Sequence, residues 1–328
     1  MKFSILFFSS IAIILARSTG AVPIIKKADI DLVVLQFALT LEHLENVFYK
    51  KALSTLPEYK FLAAGFTREY YQNLKYIAHD EEAHVKLLTD GITTAGGMPV
   101  AACTYDFPIT DVKSFIGLSS ILEGVGTSAY LGSAPLITSK DYLAVAGSIL
   151  VAEALHTSMQ RQALHRVPSA NPYGTPLTPS PVYTLAAAFI KSCPSTNMAL
   201  PFTAFPALTF NAEKPTLASI SISIDIGNKQ SSNKPAPVKP LEFSVVETLP
   251  SDFFVTFVNG LEVVSIKPTS VSGKTFSATP PDTFGGQTYA LVTSVNMTSG
   301  PIADSGILFG PAILEITPRS PNYDVNYQ

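Results

Sequence analysis

The sequence predicts an α+β chain of two domains: an antiparallel four-helix bundle followed by an all-β, antiparallel, sandwich-like domain. Three observations carry this expectation. Apolar residues recur with a helical period as far as about residue 166. Five of the 25 prolines precede residue 167 and 20 follow it, whereas His43, His79, His84, His156 and His165, all the histidines of the chain, precede it. From about residue 215 the apolar period drops to two.

The helical segments are Ile30–Leu56, Pro57–Ala95, Asp111–Ser133 and Lys140–Arg166, with Asp111 and Ser139 as N-caps and Pro135 and Pro168 as stops. The first two are joined tightly, as are the last two, and a longer connection separates the pairs. That is the connectivity of two antiparallel hairpins joined by a crossover. A short fifth helix is expected over Val182–Ser192. In the second half, Ile220, Ile222, Ile224 and Ile226 alternate with Ser219, Ser221, Ser223 and Asp225. Phe253–Val258 and Leu261–Ile266 flank Asn259-Gly260, a hairpin signal. Further strands are expected at Leu241–Val246, Thr288–Val295 and Ile307–Ile316, and an exposed loop at 227–240. The domain limits read as 28–210 for the bundle with its covering loops, 211–318 for the β domain and 319–328 for a polar tail.

Composition narrows the function classes. Apolar residues make up 47% and charged residues 14% of the 328-residue chain, so it is not a disordered polymer. A net charge of −3 gives no basic footprint for nucleic acid and no polybasic membrane patch. Residues 1–20 read as a secretory signal peptide: Lys2, an apolar run over Phe3–Leu15 that is too short for a membrane anchor, then Ser18, Thr19, Gly20 and Ala21. Lys26-Lys27 reads equally as a processing site or a solvated pair. The expected location is extracellular. In an oxidising compartment Cys103 and Cys193 favour one disulfide over two buried thiols. Asn296-Met297-Thr298 is an N-glycosylation sequon.

The chemistry lies on the helical seams. In the second helix Phe66, Tyr70, Leu74 and Ile77 lead in heptad-like steps to Glu81, His84 and Leu88. In the fourth, Leu143, Ala146 and Ile149 lead to Glu153 and His156. Glu42 lies in line with Leu35, Ala38 and Tyr49 in the first, and Glu123 with Ile116, Ser119 and Tyr130 in the third. A buried carboxylate is costly unless it is protonated, paired or metal-bound. One Glu-x-x-His is usually a surface pair. Two copies on core seams, with a glutamate from each remaining helix, are the donor set of a di-iron or di-manganese carboxylate site. Glu42 and Glu123 each precede a tyrosine by seven residues, which aligns the two hairpins; Glu45, one turn on, is the alternate ligand. Tyr49 and Tyr130 are the expected hydrogen-bond partners of the carboxylates. Asp80 is placed to orient an imidazole of the other hairpin, and Ala152 stands at its counterpart.

At these residues the chain resembles the ferritin-like domain of desiccation-related and fungal late-sexual-development or stress-response secreted proteins. The matching stretches are LEHLENVFY (41–49), DEEAH (80–84), LEGVGTSAYLG (122–132), ILVAEALH (149–156) and FIKSCPSTNMALPF (189–202), so the resemblance covers about residues 28–210. It implies a secreted, stress- or development-associated protein on a ferritin-like bundle. In the wider superfamily the positions matching Glu42, Glu81, His84, Glu123, Glu153 and His156 bind two metals. The resemblance supplies no defined enzymatic activity.

Two readings of different class follow. In the first, two Fe or Mn ions exchange electrons with O2 or peroxide, a peroxidase- or ferroxidase-like oxidoreductase. In the second, the chain is a metal-free structural or protective extracellular protein whose β domain binds a cell-wall or surface partner. A closed iron-storage shell fits poorly with a strand-rich domain and a signal peptide.

Overall fold

The computed structural model describes residues 30–211 and 239–319. The signal segment, Lys26-Lys27, the Ile220–Ile226 alternation, most of the 227–240 loop and nearly all of the polar tail lie outside them. Among the described residues six α-helices precede two antiparallel four-stranded sheets, and a two-stranded pair lies among the helices. The helices are α1 (Ile30–Thr55), α2 (Glu58–Ala63), α3 (Arg68–Thr94), α4 (Val112–Ser133), α5 (Lys140–Ala163) and α6 (Pro179–Ala187).

The helix expected over Pro57–Ala95 is two helices. Gly65 takes φ +92°, a left-handed conformation that ends α2, and the Thr67 hydroxyl accepts the Tyr70 amide to start α3. The expected caps at Asp111 and Ser139 are present; Asp111 forms a reciprocal box with Ser114, and Ser139 accepts from the Tyr142 amide. α5 stops at Ala163 rather than Arg166, because His165 turns to φ 57°. The fifth helix starts earlier than expected, with Pro179 and Pro181 in its first turn, and ends at Ala187. Its expected tail is instead strand β2 (Ile190–Ser192), paired with β1 (Thr104–Tyr105). The disulfide Cys103–Cys193 closes this join across 90 residues.

α1 and α4 are buried on nearly every side and form the interior of the bundle, whereas α3 and α5 bury one stripe each. Asp31 accepts from the Thr138 amide at 2.6 Å, the Thr138 hydroxyl at 2.7 Å and the Ser139 amide at 3.0 Å, which joins the starts of α1 and α5.

The remaining strands are β3 (Leu208–Phe210), β4 (Leu241–Val245), β5 (Phe254–Asn259), β6 (Glu262–Ile266), β7 (Ser270–Ser272), β8 (Thr275–Ala278), β9 (Gly286–Thr293) and β10 (Ile307–Ile316). They form two four-stranded sheets, ordered β10-β9-β5-β6 and β3-β4-β8-β7, around a core that includes Phe243, Phe257 and Phe276. Gly260, at φ 57°, turns β5 into β6 with Asn259 opposite Glu262. β3, β7 and β8 are short strands that the period-two signal did not mark.

The sandwich packs on the bundle through β9 and β10, and the two share one apolar core through Tyr289, Leu291 and Ile313. Tyr289 Oη lies 2.8 Å from Ser128 Oγ and donates to the Gly124 carbonyl at 3.2 Å. Gln287 fills the space a Cβ on Gly124 would need. Buried Arg161 donates two hydrogen bonds to Glu315, at 2.9 and 2.8 Å.

Candidate metal centre

Each seam glutamate and histidine points into the bundle, because its position in the heptad-like pattern is a core position. Glu42, Glu81, Glu123 and Glu153 are fully buried, and His84 and His156 are nearly so. Their donor atoms form two overlapping groups, Glu42–Glu81–His84–Glu153 and Glu81–Glu123–Glu153–His156, each with all atoms within 4.8 Å of one another. Glu81 and Glu153 belong to both. Each group adds one private glutamate and one private imidazole. The Glu-x-x-His spacing explains this: residues three apart share a helical face, so one helix supplies a shared carboxylate and a terminal ring.

Distances locate the two foci. His84 Nδ1 lies 3.2 Å from Glu42 Oε2, 3.3 Å from Glu81 Oε2 and 3.7 Å from Glu153 Oε1. His156 Nδ1 lies 3.0 Å from Glu81 Oε1 and 3.2 Å from Glu123 Oε2. One ring proton serves one acceptor, so these approaches are convergences on a point. The rings stack with centroids 6.4 Å apart.

The tyrosines reach across the bundle. Tyr130 donates to Glu42 Oε1 at 2.5 Å, and Tyr49 donates to Glu123 Oε1. Each thus bonds the glutamate of the other hairpin, a reciprocity the sequence spacing did not specify. Asp80 Oδ2 lies 3.2 Å from His156 Nε2, on the far side of that ring from the cluster. Glu45 is buried but lies in neither group. A Cβ on Gly126 would stand 3.0 Å from Glu45 Oε1 and 2.5 Å from Glu153 Oε2, so the bare backbone of α4 makes room for both carboxylates.

Sequence reasoning placed Tyr70 and Ser119 on the seams without giving them a role, and missed Gln160. Gln160 donates to Tyr49 Oη at 3.2 Å, Tyr70 donates to Gln160 Oε1 at 2.5 Å, and Ser119 Oγ lies 2.6 Å from Tyr49 Oη. Gln160 follows His156 by four residues, in phase with the ligand-type residues of its helix, which is the signal that would have found it. His43 and His79 stand outside the cluster: His43 meets the Val100 carbonyl, and His79 is a surface neighbour of Asp80.

Electrostatics fit a cation pair. Burial raises the pKa of Glu81 to about 7, against the pull of its two histidines. Burial, then the charge of Glu45, pushes Glu153 well above the usual carboxylate range. Burial, then the charges of Glu81 and Glu42, does the same to Glu45. Burial opposes charge on the histidines, but the Glu42 and Glu81 carboxylates that accept from its ring lift His84 to about 10, and Glu123 and Glu81 in the same way lift His156 to about 11. Tyr49 and Tyr130 are held in the phenol form by burial and by the neighbouring carboxylates. Meanwhile both Glu153 oxygens are buried without a hydrogen-bond partner, and Glu42 Oε2 and Glu81 Oε1 have only a shared imidazole nitrogen beside them. Four carboxylates and two divalent cations neutralise one another and satisfy those oxygens. The residues present therefore fit two ions of the Fe or Mn type, for which mixed oxygen and imidazole ligation is suited.

Residues 30–166 match the family model of the ferritin-like domain. This part of the chain is similar to that domain. Protein rds1 of Schizosaccharomyces pombe is 28% identical to the chain over 185 residues, which is 55% of this chain and 44% of that protein. The chain thus spans under half the length of that relative. A solved structure, a conserved hypothetical protein from Mycobacterium tuberculosis, has 16% identity and a TM-score of 0.36 and covers 42% of this chain and 91% of its own.

Proposed function

We propose that the ferritin-like bundle holds two Fe or Mn ions and serves a secreted, stress- or development-associated oxidoreductase of the peroxidase or ferroxidase type. The observation that carries this is the pair of donor groups sharing Glu81 and Glu153. When bound, the cation pair supplies electron exchange with O2 or peroxide. The protein's own part is positional. Glu42 with His84, and Glu123 with His156, hold the two ends. Tyr130 and Tyr49 fix the private glutamates, and Asp80 holds the His156 ring with Nδ1 turned inward. The apolar residues around the cluster keep water out, which strengthens each of these interactions. A metal-free bundle would pair its polar atoms among themselves, and the two unpartnered oxygens of Glu153 count against that alternative. The disulfide and the apolar amino-terminal run support secretion. The sheet β3-β4-β8-β7, which contributes no residue to the apolar core shared with the bundle, is the surface this reading leaves for a cell-wall or surface partner.

The test is elemental analysis of the full chain after anaerobic loading with Fe(II) or Mn(II). Two ions per chain are expected. Glu81→Ala should lose both, because Glu81 serves both groups, whereas His156→Ala should weaken one. Near-zero uptake by the unaltered protein overturns the reading.

A further inference from the structure

The two ends of the cluster differ, although the hairpins that build it correspond. Aligning Glu81-x-x-His84 with Glu153-x-x-His156 puts Leu88 opposite Gln160. On the Gln160 side the space is filled and polar: Tyr70, Gln160 and Tyr49 form a hydrogen-bonded chain to Glu123. On the Leu88 side there is a half-open apolar cavity of about 30 Å³. Three alanines on its wall, Ala38, Ala129 and Ala146, explain the void. They stand on α1, α4 and α5, where larger apolar side chains would close it. Leu41 and Tyr130 form the inner wall; Leu41 adjoins Glu42 in sequence, and the Tyr130 hydroxyl donates to the Glu42 carboxylate. Partly exposed Ile137, Tyr142 and Val145 form the outer wall.

The lining selects against polar occupants. Its one buried hydroxyl without a partner is Ser133 Oγ, and the Tyr130 hydroxyl is committed to Glu42. An ordered water needs about two to four polar partners, which this lining does not offer, whereas an apolar guest needs none. About 10–15 Å³ holds one water-sized sphere, so a void of this size holds a small diatomic molecule. Voids also reduce stability, so a larger residue at any of the three alanines would otherwise be favourable.

We propose that this cavity is a binding site for O2 and delivers it to the cluster from the Tyr130 side, which makes O2, rather than peroxide, the oxidant this bundle admits. This rests on the cation-pair reading above and names its substrate.

The test uses the full-length protein with xenon, an apolar probe. Crystals pressurised with xenon should show it between Ala38, Ala129 and Ala146, and Ala146→Leu should abolish that site. Ala38→Leu is the second filling variant, and Ala144→Leu, on the exposed face of α5, is the control. After anaerobic loading with Fe(II), oxidation by O2 should slow about tenfold in the filled variants, while oxidation by hydrogen peroxide stays within about twofold of the unaltered protein. Iron uptake without a xenon site, water ordered in the cavity, or equal slowing with both oxidants overturns the proposal alone. A protein that takes up no iron overturns the cation-pair reading and this proposal with it.

Discussion

Glu153 shows at the scale of one residue what the fold gives up for its site. Its carboxylate is fully buried, shared by both donor groups, and has no hydrogen-bond partner on either oxygen. Without cations it adds repulsion to Glu45 and Glu81. Glu153→Gln should therefore stabilise the metal-free protein by about 0.5–2 kcal/mol in urea titration and remove most of the stabilisation gained on adding Mn(II). Gly126 answers the same carboxylate from α4. Gly126→Ala improves helix propensity by about 1 kcal/mol, yet its Cβ would meet Glu153 Oε2 at 2.5 Å. Weaker Mn(II) binding in calorimetry, with no loss of metal-free stability, is the expected result. The role of Gly126 was not legible in LEGVGTSAYLG, because a glycine within a helical run does not say which side chain of another helix it faces.

At the scale of elements, α3 and α5 bring opposite hairpins to one ring. Asp80 on α3 holds His156 on α5, and Ala152, at the matching position of α5, offers no such support to His84. Asp80→Asn should lower affinity for one ion about 10–100-fold and leave the other nearly unchanged. Biphasic Mn(II) titration would check it; a uniform loss at both ions would assign Asp80 a general structural role instead. The helical period marked both helices and the inward face of each. It did not mark the break between α2 and α3, since Gly65 and Thr67 act through one backbone angle and one cap, and apolar residues continue on both sides of them. Nor did it mark β2, which is extended because it pairs with β1 beside the Cys103–Cys193 bridge.

At the scale of the molecule, the sandwich is a buttress of the bundle. Arg161 of α5 and Glu315 of β10 form a buried pair one helical turn and more beyond His156. Arg161→Ala leaves Glu315 buried beside the more distant Arg166, 3.7 Å away, and should cost about 3 kcal/mol in chemical denaturation. Replacing both partners by apolar residues of similar size should recover most of it. The cluster sets the pH dependence. His84 and His156 titrate above the ordinary value of 6.5, so their contribution to metal-free stability is full below that value and is lost as the pH rises towards 10 and 11. Glu81, raised from 4.5 to about 7, loses its proton, and that part of the stability, within the same upward sweep. Cations must displace these protons, so binding strengthens in the same direction. The melting temperature of the metal-free protein should fall from about pH 5 to pH 9, and the increment on adding Mn(II) should grow. An increment that shrinks with pH would contradict the proton displacement.

The sequence alone determined that a helical half precedes a strand-rich half and that Glu42, Glu81, His84, Glu123, Glu153 and His156 occupy inward positions, because helical and strand periods are local properties of the chain. Only the tertiary structure decided that Glu81 and Glu153 are the shared carboxylates, that each tyrosine serves the opposite hairpin, and that Glu45 stays outside both groups. It also decided that the sandwich completes the core of the bundle rather than standing apart from it. These are distances between residues far apart in the chain, and the rotation and depth at which two helices pack depend on side chains from every element around them.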